Sequence, residues 1–70
     1  TRLVSGIPDL FIPFPAKGFH GLYIELKIGT NKLTPSQEEI QGKLKAYNYK
    51  VETVYDFDTF MDVVGGYLVT

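Results

Sequence analysis

The chain has 70 residues, no cysteine, a formal net charge of −1 and 44% hydrophobic residues, among them five Phe and five Tyr. This composition excludes a disulfide scaffold, a thiolate metal site, a disordered tail and a strongly basic nucleic-acid binder. No apolar run approaches the roughly 18 residues that a membrane span requires.

A domain this small buries only about 60% of the surface its unfolded chain exposes. Below about 80 residues, stability usually leans on a staple. Without cysteine, the expected help is an oxygen-ligated metal, a partner subunit or further chain. Residues 1–70 read as one domain. The chain opens on Thr1 rather than Met, so it reads as a processed or truncated piece. No signal peptide pattern is visible, and a cytoplasmic setting is the default expectation.

Residues 1–8 are turn-like, with Ser5-Gly6 and Pro8 as breakers. Leu10 to Phe14 is strand-prone, with Pro13 and Pro15 marking its end or an edge. "PAKGFHG" (15–21) is a turn connection. Leu22 to Ile28 then alternates strictly: Leu22, Ile24, Leu26 and Ile28 face one side, and Tyr23, Glu25 and Lys27 the other. The two runs predict a hairpin, with an intact core stripe on the second strand.

Residues 29–33 read as a loop. Thr34-Pro35-Ser36-Gln37 starts a helix, with Thr34 as N-cap, Pro35 at the first helical position and Gln37 completing a capping box. Gln37, Ile40, Leu44 and Tyr47 form its inward stripe, and Asn48 ends it. Lys50 to Tyr55 is a third strand, with Val51, Thr53 and Tyr55 on one face. Asp56 or Asp58 caps a second helix whose apolar set is Phe57, Phe60, Met61, Val64 and Leu68. The order is ββαβα. The strand–helix–strand crossover predicts parallel pairing of the second and third strands, hence a small mixed sheet of α/β type with helices packed on it.

The ionisable residues of the hairpin raise the functional question. Glu25 and Lys27 lie two apart on one strand, so their Cα atoms are about 6.5–7 Å apart and their side chains share a face. Asp9 enters the neighbouring strand and can approach Glu25 across the ladder. Gln37, one turn into the following helix, can point to the same place. Two carboxylates with a backbone carbonyl make a hard oxygen site suited to Mg²⁺ or Mn²⁺, and a nearby ammonium can stabilise charge developing on phosphorus. The plainer reading of Glu25 and Lys27 is a solvated face with an ion pair worth about 0–1 kcal/mol. His20 reads as a loop residue, and Tyr23 as packing or a hydrogen-bond donor beside Glu25.

The combination is more specific than its parts. Gly-Ile-Pro-Asp, fifteen residues, Glu-x-Lys within apolar flanks, then a helix opening on Thr-Pro-Ser-Gln, resembles the PD-(D/E)XK nuclease superfamily. Within it the chain resembles the virus-type replication-repair nuclease (VRR-NUC) domain, on "GIPDLFIP", "GFHGLYIELK", "KLTPSQEEI" and "YKVETVYDFDTFMDVVGGYL". That resemblance implies a restriction-endonuclease-like core and metal-dependent hydrolysis of DNA phosphodiesters. It assigns a divalent metal, Mg²⁺ or Mn²⁺, to Asp9, Glu25 and the Leu26 carbonyl, with Lys27 as the catalytic lysine and Gln37 beside the site. It further implies a homodimer of stand-alone phage or viral type, acting in the host cell on four-way (Holliday) junctions or other branched DNA. The superfamily core normally begins with a helix and a strand ahead of the Pro-Asp motif. Here those elements are expected to be cut away or supplied otherwise, for instance by a partner chain. The alternative expectation is a non-catalytic DNA-binding or dimerisation module that keeps the nuclease fold. Arg2, Lys17, Lys32, Lys43, Lys45 and Lys50 are the cations expected to face DNA.

Overall fold

The structure, a computed structural model, describes residues 5–29 and 32–69. Part of the expected loop at 29–33, the start of the turn-like 1–8 segment and Arg2 lie outside the described residues. The elements follow the order ββαβα: β1 (Leu10–Ile12), β2 (Leu22–Leu26), α1 (Pro35–Ala46), β3 (Lys50–Val54) and α2 (Phe57–Leu68). The sheet order is β1-β2-β3, with β1 antiparallel and β3 parallel to β2. The hairpin and the crossover are both as the sequence predicts.

Each connection has a local cause. Lys17, at φ 56°, and Gly18, at φ 83°, turn the tight connection closed by the Ala16–Phe19 bridge. The left-handed Asn48, at φ 70°, ends the excursion after α1 and donates its amide to the Gly18 carbonyl at 2.6 Å, tying the helix end to that turn. Helix α1 carries the full capping box: the Thr34 hydroxyl accepts from the Gln37 N–H at 3.2 Å, and the Gln37 amide oxygen accepts from the Thr34 N–H at 2.9 Å. Helix α2 is capped by Asp56, which accepts from the Thr59 N–H at 2.7 Å, so the open choice between Asp56 and Asp58 falls to Asp56.

The two sheet faces have different partners. Leu22, Ile24 and Val54 pack under α2 around the buried Tyr67, with Ile12, Ala16, Phe19, Phe60, Val63 and Val64 at the margin. The Tyr67 hydroxyl donates to the Phe14 carbonyl at 2.6 Å, which satisfies its polar end. The opposite face carries Tyr23, Glu25 and Thr53 and meets α1.

Three expectations need correction. The core stripe of β2 is only half covered: Leu22 and Ile24 are buried, but Leu26 and Ile28 are exposed, Ile28 by 64%. The register explains this, because β1 begins opposite Ile24 and gives no cover further along. In α1 the buried side chain is Gln41, while Tyr47 sits at the C-cap and is exposed. In α2 Tyr67 is buried, whereas Phe57, Met61 and Leu68 are exposed, so the inward stripe lies to one side of the apolar set expected for it.

Candidate active site at the β1–β2 edge

The Pro-Asp pair acts through the ladder. Leu10 lies opposite Ile24 and Ile12 opposite Leu22. Continuing that register sets Pro8 opposite Leu26. Proline has no N–H, so it cannot donate to the Leu26 carbonyl. The Leu26 N–H is taken instead by the Asp9 carboxylate, at 2.9 Å. Because the N–H and C=O of one strand residue point to the same side, the Leu26 carbonyl opens toward the same edge as Asp9. One dipeptide thus stops the ladder, leaves a backbone oxygen without a ladder donor and holds a carboxylate beside it.

Gly6 makes this entry possible. It is buried at φ +91°, and a Cβ there would strike the Ser36 carbonyl in the first turn of α1. The chain ahead of Asp9 is therefore packed directly on the helix that carries Gln37.

Glu25 is 3% exposed. A solvated face, the plainer reading, would leave it in water. Its carboxylate accepts from the Gln37 side-chain amide at 3.2 Å. The amide oxygen of Gln37 is already used in capping Thr34, so the cap fixes the amide's orientation and turns its NH₂ toward Glu25. Behind Glu25, Thr53 stands directly across the parallel ladder. Its hydroxyl accepts from the side-chain amide of Gln41, 7% exposed, at 3.0 Å.

Lys27 lies on the Glu25 face and is half-buried, with its N–H bonded to the Val54 carbonyl at 2.8 Å. The two ion pairs among the described residues are Lys43–Glu39 and Lys50–Glu52, so the ammonium of Lys27 is in neither. Tyr23 packs: it stacks on Phe11 at 4.4 Å and meets Tyr49 edge-on at 5.3 Å. His20 is an exposed turn residue with its ring edge on Tyr49.

Of the expected site residues, the structure ties Asp9 to the residue after Glu25, and Glu25 to Gln37, by direct hydrogen bonds. Among the described residues no three His, Cys, Asp or Glu side chains form a metal-binding group. The donor set is two carboxylates and a backbone oxygen. That set fits Mg²⁺ or Mn²⁺, which is commonly held by one or two carboxylates with waters and substrate phosphate oxygens filling the rest. Gln41 and Pro8 were not singled out for these roles from sequence. Gln41 lies four residues after Gln37, and that helical spacing is the signal that puts it on the same face.

The fold is that of a small α/β domain of nuclease type. Among solved structures, one described as a VRR_NUC domain protein superposes with a TM-score of 0.89 at 31% sequence identity. The match covers 94% of this chain and 55% of that one. No family profile matches the chain, and no curated protein does. The chain folds as a VRR-NUC domain.

Proposed function

We propose that the chain is the core of a metal-dependent, structure-specific DNA endonuclease acting on four-way junctions or other branched DNA. The observation that supports this most is the joint placement of Asp9 and Glu25 at the point where Pro8 breaks the ladder. Asp9, Glu25 and the Leu26 carbonyl would hold Mg²⁺ or Mn²⁺. The bound cation supplies a lowered pKa for a coordinated water and neutralises charge on the scissile phosphate. Glu25 is buried and hydrogen-bonded, so its carboxylate is pre-positioned rather than drawn in from solvent. Lys27, two residues on and outside the ion pairs above, places its ammonium where the phosphate oxygens gain charge as the P–O bond breaks. Gln37 orients Glu25 and takes no proton.

A homodimer goes with this reading. Leu26, Ile28, Phe57 and Phe60 line one apolar hollow, and Phe57 is 68% exposed. A two-fold dimer covering that hollow would present two sites to two DNA strands, as symmetric junction cutting requires. The cations available for phosphate contacts are fewer than the sequence count: Lys43 and Lys50 are in ion pairs. Lys17, Lys32 and Lys45 remain exposed. The test is cleavage of linear, flapped and four-way DNA in Mg²⁺ or Mn²⁺ by the full-length protein. Metal-dependent cutting of branched substrates supports the reading. Binding without turnover in every metal would instead favour a non-catalytic DNA-binding module.

A further inference from the structure

Phe11, Tyr23 and Tyr49 form an aromatic cluster beside the candidate site, and none of the three has a part in holding a metal. Phe11 and Tyr23 are partners across the β1–β2 ladder, and their rings stack at 4.4 Å with 21° between planes. Tyr49, on the short connection between α1 and β3, meets both edge-on, at 6.0 Å and 5.3 Å. Gly21 shapes the cluster. A Cβ there would lie 2.7 Å from Phe11 Cε1 and 2.9 Å from the Ile12 carbonyl oxygen, so the Phe11 ring occupies the space of a missing side chain. Held on these sides, Phe11 is still 43% exposed. A fixed ring with an open surface is what stacking on a flat ligand requires.

The cluster adjoins the carboxylates. Tyr23 and Glu25 lie two residues apart on β2 and share a face, so their Cα atoms are roughly 6.5 Å apart. Asp9 precedes Phe11 by the same two residues, and its carboxylate reaches the Leu26 N–H. A phosphodiester at Asp9 and Glu25 would therefore have a flanking nucleotide within reach of the rings. Lys45 is exposed and lines a hollow with Tyr49, which sets a cation at the same end. Aromatic rings beside a cation that meets the backbone hold single-stranded nucleic acid with little regard to sequence.

We propose that Phe11, backed by Tyr23 and Tyr49, stacks on the base of an unpaired nucleotide flanking the phosphodiester at Asp9 and Glu25. The inference rests on the nuclease reading above and names what is recognised in a branched substrate: a base free of its pairing partner. Drawing a base out of a duplex is costly, and the cost is smallest where the base is already unpaired. Phe11 thus favours a branch over uninterrupted duplex without reading base edges.

The test is fluorescence anisotropy of labelled DNA with the full-length protein in Ca²⁺, an oxygen-seeking cation that offsets the carboxylates, with gels confirming that the DNA stays intact. The probes are a flapped duplex with a short single-stranded arm and an uninterrupted duplex. Phe11→Leu keeps an apolar side chain on the sheet and removes the ring, and Phe11→Trp keeps a ring. Stacking predicts that Phe11→Leu binds flapped DNA about 10-fold more weakly than the parent and binds duplex equally well. It predicts that Phe11→Trp binds flapped DNA at least as tightly as the parent. Single abasic sites moved along the arm should find one position that weakens the parent as much as Phe11→Leu does, and that weakens Phe11→Leu no further. Parent-like flap binding by folded Phe11→Leu, or an equal loss on flap and duplex, overturns the proposal. Should Phe11→Leu fail to fold, the abasic scan of the parent decides it: equal affinity at every position overturns the proposal. A parent protein that neither binds nor cuts flapped DNA overturns the nuclease reading and this proposal together. A parent that cuts flapped DNA while Phe11→Leu binds it equally well overturns this proposal alone.

Discussion

Gln37 links helix capping to the site: one end of its amide closes the α1 cap and the other holds Glu25. Replacing it by Glu keeps a capping oxygen but sets a second carboxylate against the buried one. Gln37→Glu should therefore lower stability at neutral pH by about 1–3 kcal/mol, read by urea unfolding. Gln37→Glu unfolding at the parent's urea midpoint would disprove the link. Lys27→Met removes an ammonium from a half-buried position outside the ion pairs, so it should leave the melting temperature nearly unchanged while cutting DNA cleavage about 100-fold or more. The placement of Glu25, Lys27 and Gln37 was legible in the sequence because strand alternation and the capping box fix their faces, and that of Asp9 because the hairpin sets it beside β2; their roles came from the family resemblance. Gln41 was not, because a glutamine in mid-helix reads as a solvated residue until its partner on β3 is seen. The role of Pro8 depends on the β1–β2 register, which three-residue pairing alone sets.

Element boundaries follow from small local devices. Gly6 occupies a left-handed φ and abuts the Ser36 carbonyl, so Gly6→Ala combines backbone strain with a clash. It should cost about 2 kcal/mol or more, a fall of roughly 8–16 °C in melting temperature for a domain of this size. A melt within a degree or two of the parent would show that the Pro-Asp entry is not packed on α1. At α2, the Thr59 N–H and then the Thr59 hydroxyl hold the Asp56 carboxyl below its ordinary value of 3.8. A depressed carboxyl contributes stability that is present above that ordinary value and is lost as pH falls through the folded value. Parent protein should thus melt higher than Asp56→Ala near neutral pH, and the gap should close in acid, below about pH 4. A gap independent of pH would contradict the charged cap. The order ββαβα, the capping box, the hairpin and the parallel crossover were all readable from periodicity and turn residues. The inward stripe of α2 was misplaced because its apolar residues nearly encircle the helix, so hydrophobicity alone could not choose Tyr67 over Phe57. Its hydroxyl bond to Phe14 is a tertiary feature without a local signature.

At the scale of the whole molecule, a small core leaves one apolar hollow uncovered where β2 outruns β1. Ile28→Glu or Phe57→Glu should convert a dimer to a monomer in light scattering while leaving the fold intact, because both side chains are more than half exposed. A parent protein that is monomeric at all concentrations would remove the dimer from the account. Net charge of −1 shows why composition alone argues weakly for DNA: the acidic site offsets the lysines, and a bound cation would shift that balance. The solved relative is longer than this chain, which spans 55% of it, so activity and substrate belong to experiment on the full-length protein. The most direct test of the central claim is titration of the full-length protein with Mn²⁺, comparing the parent with Asp9→Asn and Glu25→Gln. Both amides keep the side-chain shape, and the Asn amide oxygen still accepts from the Leu26 N–H. The account predicts binding by the parent and its loss, by about 100-fold or more, in each folded variant. Equal Mn²⁺ affinity in parent and variants would contradict it.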